Sequence, residues 1–145
     1  MKRRKTVRAG RLVWDCTYTV PRPNASKLER KRIREVTEEQ VARTNANTAQ
    51  RKLEQLLACN FDDTDLVLTV TYRDADLPAS ADVTRRHLGK VFAQIRAYRK
   101  ARSLPDLKYI YVLEGRHGDH RPHAHIIINA VGNDLELMKS LWIWG

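Results

Sequence analysis

The stretch Glu114-Gly-Arg-His-Gly-Asp-His-Arg-Pro-His-Ala-His-Ile-Ile-Ile-Asn129 decides how the chain is read. It closes on His123-Ala124-His125, followed at once by Ile126, Ile127 and Ile128. A short apolar, β-branched run of this kind predicts a buried strand. Side chains alternate faces along a strand, so His123 and His125 point the same way. Upstream, Tyr109-Ile-Tyr-Val-Leu-Glu114 predicts a second strand, and the Gly- and Asp-bearing loop 115–121 turns the chain back antiparallel. Glu114 then falls at the end of the neighbouring strand, within reach of both imidazoles. A carboxylate and two imidazoles form a mixed O/N site with open positions. Such a site suits Mg²⁺ or Mn²⁺ acting on a phosphate better than a closed structural zinc. His117 and His120 fall in the turn and are read as solvated. A histidine-rich zinc cluster is the weaker alternative, because no CxxC accompanies it.

A chain of 145 residues is expected to form one domain. Its formal net charge of +10 and pI of about 10.0 call for a polyanionic partner, most simply nucleic acid. The basic start Met1-Lys-Arg-Arg-Lys5 runs into Thr-Val-Arg-Ala-Gly rather than an apolar segment. It is not a signal peptide, and no later run is long enough to span a bilayer, so no membrane partner is expected. Cys16 and Cys59 lack metal-ligand spacing and fit a reducing cytoplasm.

Working outward from the histidines, Leu66-Val-Leu-Thr-Val-Thr-Tyr72 predicts a strand with Leu66, Leu68, Val70 and Tyr72 on one face. Val67, Thr69 and Thr71 occupy the other. Between these strands, Val83 to Arg102 predicts a regular helix burying Leu88, Val91, Phe92, Ile95 and Tyr98, with Asp82 as its cap. No acid falls between Val83 and Pro105, so Arg85, Arg86, Lys90, Arg96, Arg99 and Lys100 are candidate phosphate contacts, with Thr69 and Thr71 beneath the site. Earlier in the chain, Ser26-x-x-Glu29 and Thr37-x-x-Gln40 are capping-box patterns, the second opening a helix from about Glu38 to Ala58. Leu12 to Val20 predicts a strand. Residues 1–11, with six cations and no acid, read as a solvated arm that contacts phosphate. The expected division is a basic arm and first strand over 1–25, then one domain over 26–145. Asn133 to Trp142 predicts a short helix, and Leu141-Trp-Ile-Trp-Gly145 suggests a fold broken off before completion. The order of elements predicts an α+β fold of the ferredoxin-like, RRM-like kind, an antiparallel sheet packed with helices.

Taken together these pieces resemble the HUH endonucleases, in particular the replication-associated (Rep) proteins of rolling-circle phages and plasmids. Leu68-Thr-Val-Thr-Tyr72 is similar to the family's first motif and His123-Ala-His125 to its histidine–hydrophobic–histidine signature. Glu114 matches the acidic residue on the preceding strand. Lys108-Tyr-Ile-Tyr-Val-Leu-Glu114 and Leu141-Trp-Ile-Trp-Gly145 resemble the phage branch. The likeness runs from about Thr37 onward.

The resemblance implies a replication initiator that nicks single-stranded origin DNA in the cytoplasm of a bacterial host, where host replication proteins are further partners. Glu114, His123 and His125 would hold Mg²⁺ or Mn²⁺, and a tyrosine would attack phosphorus, take the 5′ phosphate and free a 3′ hydroxyl for priming. That tyrosine belongs to a third motif downstream of the histidines, and no tyrosine follows Tyr111, so the nucleophile is expected beyond Gly145. Tyr18, Tyr72, Tyr98, Tyr109 and Tyr111 read as packing residues. The alternatives are a non-catalytic, RRM-like module for single strands and a single-tyrosine transposase sharing the metal motif.

Overall fold

The computed structural model describes residues 1–20, 37–115 and 121–145. The expected cap at Ser26, the domain boundary at 25/26, and His117 and His120 lie outside the described residues. The described residues fall into two compact units, Met1–Asn60 and Phe61–Gly145.

The first unit opens with strands β1 (Lys2–Ala9) and β2 (Leu12–Thr19), paired antiparallel from Lys2↔Thr19 to Ala9↔Leu12. The solvated arm expected over 1–11 is therefore a strand. Its cations are spread over both faces and need no burial, so the charge does not oppose pairing, while Val7 and Ala9 supply the contact side. Gly10, at φ +53°, takes the first position of the two-residue turn, a conformation that glycine adopts without strain. A side chain there would also strike the Ala58 carbonyl. Helix α1 (Glu38–Asn60) begins at the predicted capping box: Gln40 N–H donates to Thr37 Oγ1 and Thr37 N–H to Gln40 Oε1, both at 3.3 Å.

The second unit holds a three-stranded antiparallel sheet in the order β3–β5–β4, built from Leu66–Thr71, His123–Ile128 and Tyr109–Glu114. Helices α2 (Ala81–Ala101) and α3 (Asp134–Leu141) complete it. The described residues are thus α+β, with two antiparallel sheets and three α-helices, compatible with the ferredoxin-like fold.

Strand alternation sorts the residues of the second unit. Val70, Tyr72, Ala124, Ile126 and Ile128 join Leu88, Val91, Phe92 and Ile95 of α2, and Met138 and Trp142, in one core. The opposite sheet face carries Val67, Thr69, Thr71, Ile110, Val112, Glu114, His123, His125 and Ile127 and stays open, with Val67 75 % and Val112 54 % exposed.

Two readings of α2 are corrected. Ser80, not Asp82, stands at the N-cap, and Asp82 is ion-paired with Arg85. Tyr98 is only half-buried under the Arg102 guanidinium. Arg99 goes inside in its place and is 1 % exposed. Its guanidinium donates to the carbonyls of Pro105, Asp106 and Asn129, to Asn129 Oδ1 and to Asp134 Oδ2, the last at 2.5 Å.

The end of the chain packs as well. Trp142 Nε1 donates to the Thr71 carbonyl, Arg73 N–H donates to the Trp144 carbonyl, and the Trp144 ring stacks on His87 at 3.9 Å.

Candidate metal centre

Register brings the three predicted ligands together. Glu114 of β4 and His123 of β5 are direct partners across the β4–β5 pair, so their side chains leave the sheet on one face. His125 lies two residues along β5 and returns to that face. Each of the three offers a ligand atom within 4.8 Å of the others. Glu114 Oε2 is 3.1 Å from His123 Nε2 and 3.5 Å from His125 Nε2. Two ligand atoms each about 2.1 Å from one ion sit roughly 3.0 to 3.4 Å apart at octahedral to tetrahedral angles. The Glu114–His123 edge at 3.1 Å falls inside that span and the Glu114–His125 edge at 3.5 Å just beyond it, close to the spacing a shared divalent cation would need.

The hydrogen bonds on the far side of each ring support this. His123 Nδ1 lies 2.8 Å from the Arg121 carbonyl, which can only accept, so Nδ1 carries the proton. In the neutral ring Nε2 then presents a lone pair to the Glu114 carboxylate. Two acceptors at 3.1 Å call for a proton or a cation between them. His125 Nδ1 lies 3.0 Å from Thr69 Oγ1, its partner in the β3–β5 register. A metal-binding histidine held through its other nitrogen is aimed and kept in one tautomer. Arg121 is itself fixed, donating to the Tyr72 carbonyl and to Asp74.

The sequence reading missed Arg121, and it gave Thr69 to DNA rather than to the histidine. The one available signal was the shared parity of Thr69 and His125 across strands whose pairing the sequence does not state.

Thr71 partners His123 on the open face. Arg85, Arg86, Lys90, Arg96 and Lys100 are exposed on the side of α2 turned away from its core residues, whereas the triad occupies the sheet face that α2 does not cover. Arg99 is buried, with Nη1 and Nη2 donating to acceptors inside the unit, so its guanidinium does not face solvent as the other candidate phosphate contacts do. A cavity of about 200 Å³ opens beside Glu114 and His123, walled by Pro78, Ser80, Thr84 and Pro122. None of the tyrosines of this unit shares the triad's face. Tyr72, Tyr109 and Tyr111 pack on the core side, and Tyr98 is on α2.

Residues 65–145, more than half of the chain, match the family model of the replication-associated proteins of the ORF2 and gene-2-protein type. The chain belongs to this replication-associated protein family. The match begins at Asp65 and spans all three strands of the sheet, α2, α3 and the triad, so the replication-associated part of the chain is the unit that carries the candidate metal centre. A replication role and interaction with DNA go with that membership. Neither the curated proteins nor the solved structures give a match. Among the described residues no helix is long and apolar enough to cross a membrane.

Proposed function

We propose that this replication-associated protein is a rolling-circle initiator of the HUH type, nicking single-stranded origin DNA in a divalent-metal-dependent reaction within a bacterial host. The convergence of Glu114, His123 and His125 on one open sheet face carries this reading. The donor set is hard or borderline and holds no thiolate, which favours Mg²⁺ or Mn²⁺. Glu114, His123 and His125 would hold the ion, which would supply Lewis acidity toward the phosphate. The chain's own residues do the rest. Glu114 and the two histidines fix where the phosphate docks, and Thr69 and the Arg121 carbonyl hold the rings in place. The open face lets an extended strand approach. In the reaction a tyrosine oxygen bonds to phosphorus, the P–O3′ bond breaks, and the freed 3′ oxygen takes a proton and serves as primer. No tyrosine of the Phe61–Gly145 unit is positioned for that part.

Titration of Mn²⁺ followed by calorimetry tests the reading. One site is expected, lost in His123→Ala and in Glu114→Gln, and single-stranded DNA is expected to bind more tightly with Mn²⁺ than with a chelator. Single-strand binding indifferent to the metal and to His123→Ala would return the chain to a non-catalytic binding module.

A further inference from the structure

The positive charge of the chain is not in the unit that carries the triad. Residues 1–60 hold 15 Lys and Arg against 6 Asp and Glu, while residues 61–145 hold 12 against 11. The family match starts at residue 65, so it gives the cationic unit no task. Within that unit the β1–β2 ribbon has two unlike faces. Val7, Ala9, Trp14 and Cys16 are its less exposed positions, and Val7 and Ala9 line a cavity with Lys52, Gln55, Leu56 and Cys59 of α1. The other face carries Lys2, Arg4, Thr6 and Arg8 on β1, paired with Thr19, Thr17, Asp15 and Val13 on β2, and all eight are exposed. Asp15 is the single acid there. It accepts from Arg4 Nη2 at 2.6 Å and Nε at 3.3 Å and from Thr6 Oγ1 at 2.5 Å, an exposed pairing on the ribbon's own face.

We propose that this free face is a binding site for double-stranded DNA, docking as a two-stranded ribbon in the major groove. Two strands about 4.8 Å apart make a ribbon that fits a groove about 12 Å wide. Arginine, threonine and a small aliphatic residue are the side chains that read guanine edges, mixed edges and the thymine methyl there. Single strands are instead held by stacking on aromatic side chains, and this face has none, since Trp14 and Tyr18 point the other way. The proposal stands apart from the nicking reading, because it uses no residue of the triad and no metal.

Fluorescence anisotropy on the full 145-residue chain tests it, with a DNA duplex of about two helical turns titrated over a range of salt. The variant Lys2→Gln/Arg4→Gln/Arg8→Gln is expected to weaken duplex binding by roughly tenfold or more and to lower the log–log salt slope by about 2 to 3. Thr17→Lys, which adds a cation to the same face, is expected to tighten binding several-fold, and it guards against a triple variant that merely unfolds the ribbon. Mn²⁺ binding, which reads the triad, should be the same in both variants. An RNA duplex of equal length should bind more weakly, because its major groove is too deep and narrow for a ribbon. Duplex affinity that ignores both variants would overturn the proposal. So would equal binding of the RNA duplex, or tighter binding to phosphatidylglycerol vesicles than to DNA.

Discussion

Thr69 Oγ1 and His125 Nδ1 stand 3.0 Å apart across the β3–β5 pair, so the strand before the long helix orients a histidine of the candidate metal triad. A hydroxyl in this position fixes the ring and leaves Nε2 toward Glu114. Thr69→Val keeps the shape of the side chain and removes that bond. Mn²⁺ affinity is expected to fall by about 10- to 100-fold, the usual cost of losing such a support, and Thr69→Ser should restore most of it. Single-strand affinity measured in chelator should not change. If it falls while Mn²⁺ binding holds, Thr69 is a DNA contact and not a positioning residue.

Arg99 and Asp134 form the second fixed point of this unit. Both side chains are 1 % exposed, and the pair joins the end of α2 to the start of α3. Asp134 Oδ2 also accepts from Val131 N–H at 2.7 Å. Arg99→Met would strand a buried carboxylate, so unfolding in urea is expected to show a loss of about 3–5 kcal/mol. Arg99→Lys should recover little, because an ammonium cannot reach the several acceptors that the planar fork spans. A loss under about 1 kcal/mol, the scale of an exposed pair, would contradict the placement.

His87 gives the second unit a pH dependence. Burial lowers its pKa below the ordinary 6.5, and the nearby Lys90 and Arg86 lower it further, against an opposing pull from Asp76. The neutral ring stacks on Trp144, with Nδ1 3.2 Å from the Tyr72 hydroxyl. Above the unfolded value both states are neutral at this site and stability is full. As pH falls through about 6.5 the unfolded chain takes up a proton before the folded one does, so stability is lost until the folded pKa is reached. His87→Phe keeps a ring against Trp144 and cannot titrate. Its stability should therefore fall less than the parent's between neutral pH and the acid side of about 6.5. Parallel pH curves would remove His87 from the account.

How much of this could be read from the sequence depends on how far apart the deciding residues are. The alternation in Leu66–Tyr72, the helical spacing of Leu88, Val91, Phe92 and Ile95, and the His-x-His parity are local signals, and each element stands where they put it. The Thr37–Gln40 capping box is equally local and forms as read. Strand β1 was missed because its run of cations, Lys2 to Lys5, carries no burial pattern; pairing with β2 makes the strand, and that is a tertiary fact. Arg99 looks like any cation of a basic helix until Asp134, 35 residues on, lies against it. The support of His125 by Thr69 spans 56 residues and depends on strand order, which no single stretch encodes.

Phosphodiester cleavage by this route needs a tyrosine in line with the phosphate at the triad, and the tyrosines of the second unit are committed elsewhere. Tyr72 is buried with its hydroxyl on His87, and burial raises its pKa, away from the phenolate that attack requires. Tyr109 stacks on Phe92 at 4.0 Å and Tyr111 packs beside it. Tyr98 lies beneath Arg102. A misplaced nucleophile forfeits most of the advantage of proximity, which is worth about 7–11 kcal/mol in well-oriented systems. The 145-residue chain is therefore expected to bind Mn²⁺ and a single-stranded oligonucleotide yet form no covalent adduct with it, as read by intact mass under denaturing conditions. Tyr18, on β2, is the one tyrosine outside this unit, and Tyr18→Phe is the control. An adduct that disappears in Tyr18→Phe would show that the first unit delivers the nucleophile. An adduct mapped to Tyr72, Tyr109 or Tyr111 would mean that the core side of the sheet opens to DNA, and the assignment of the open face as the reaction surface would fall.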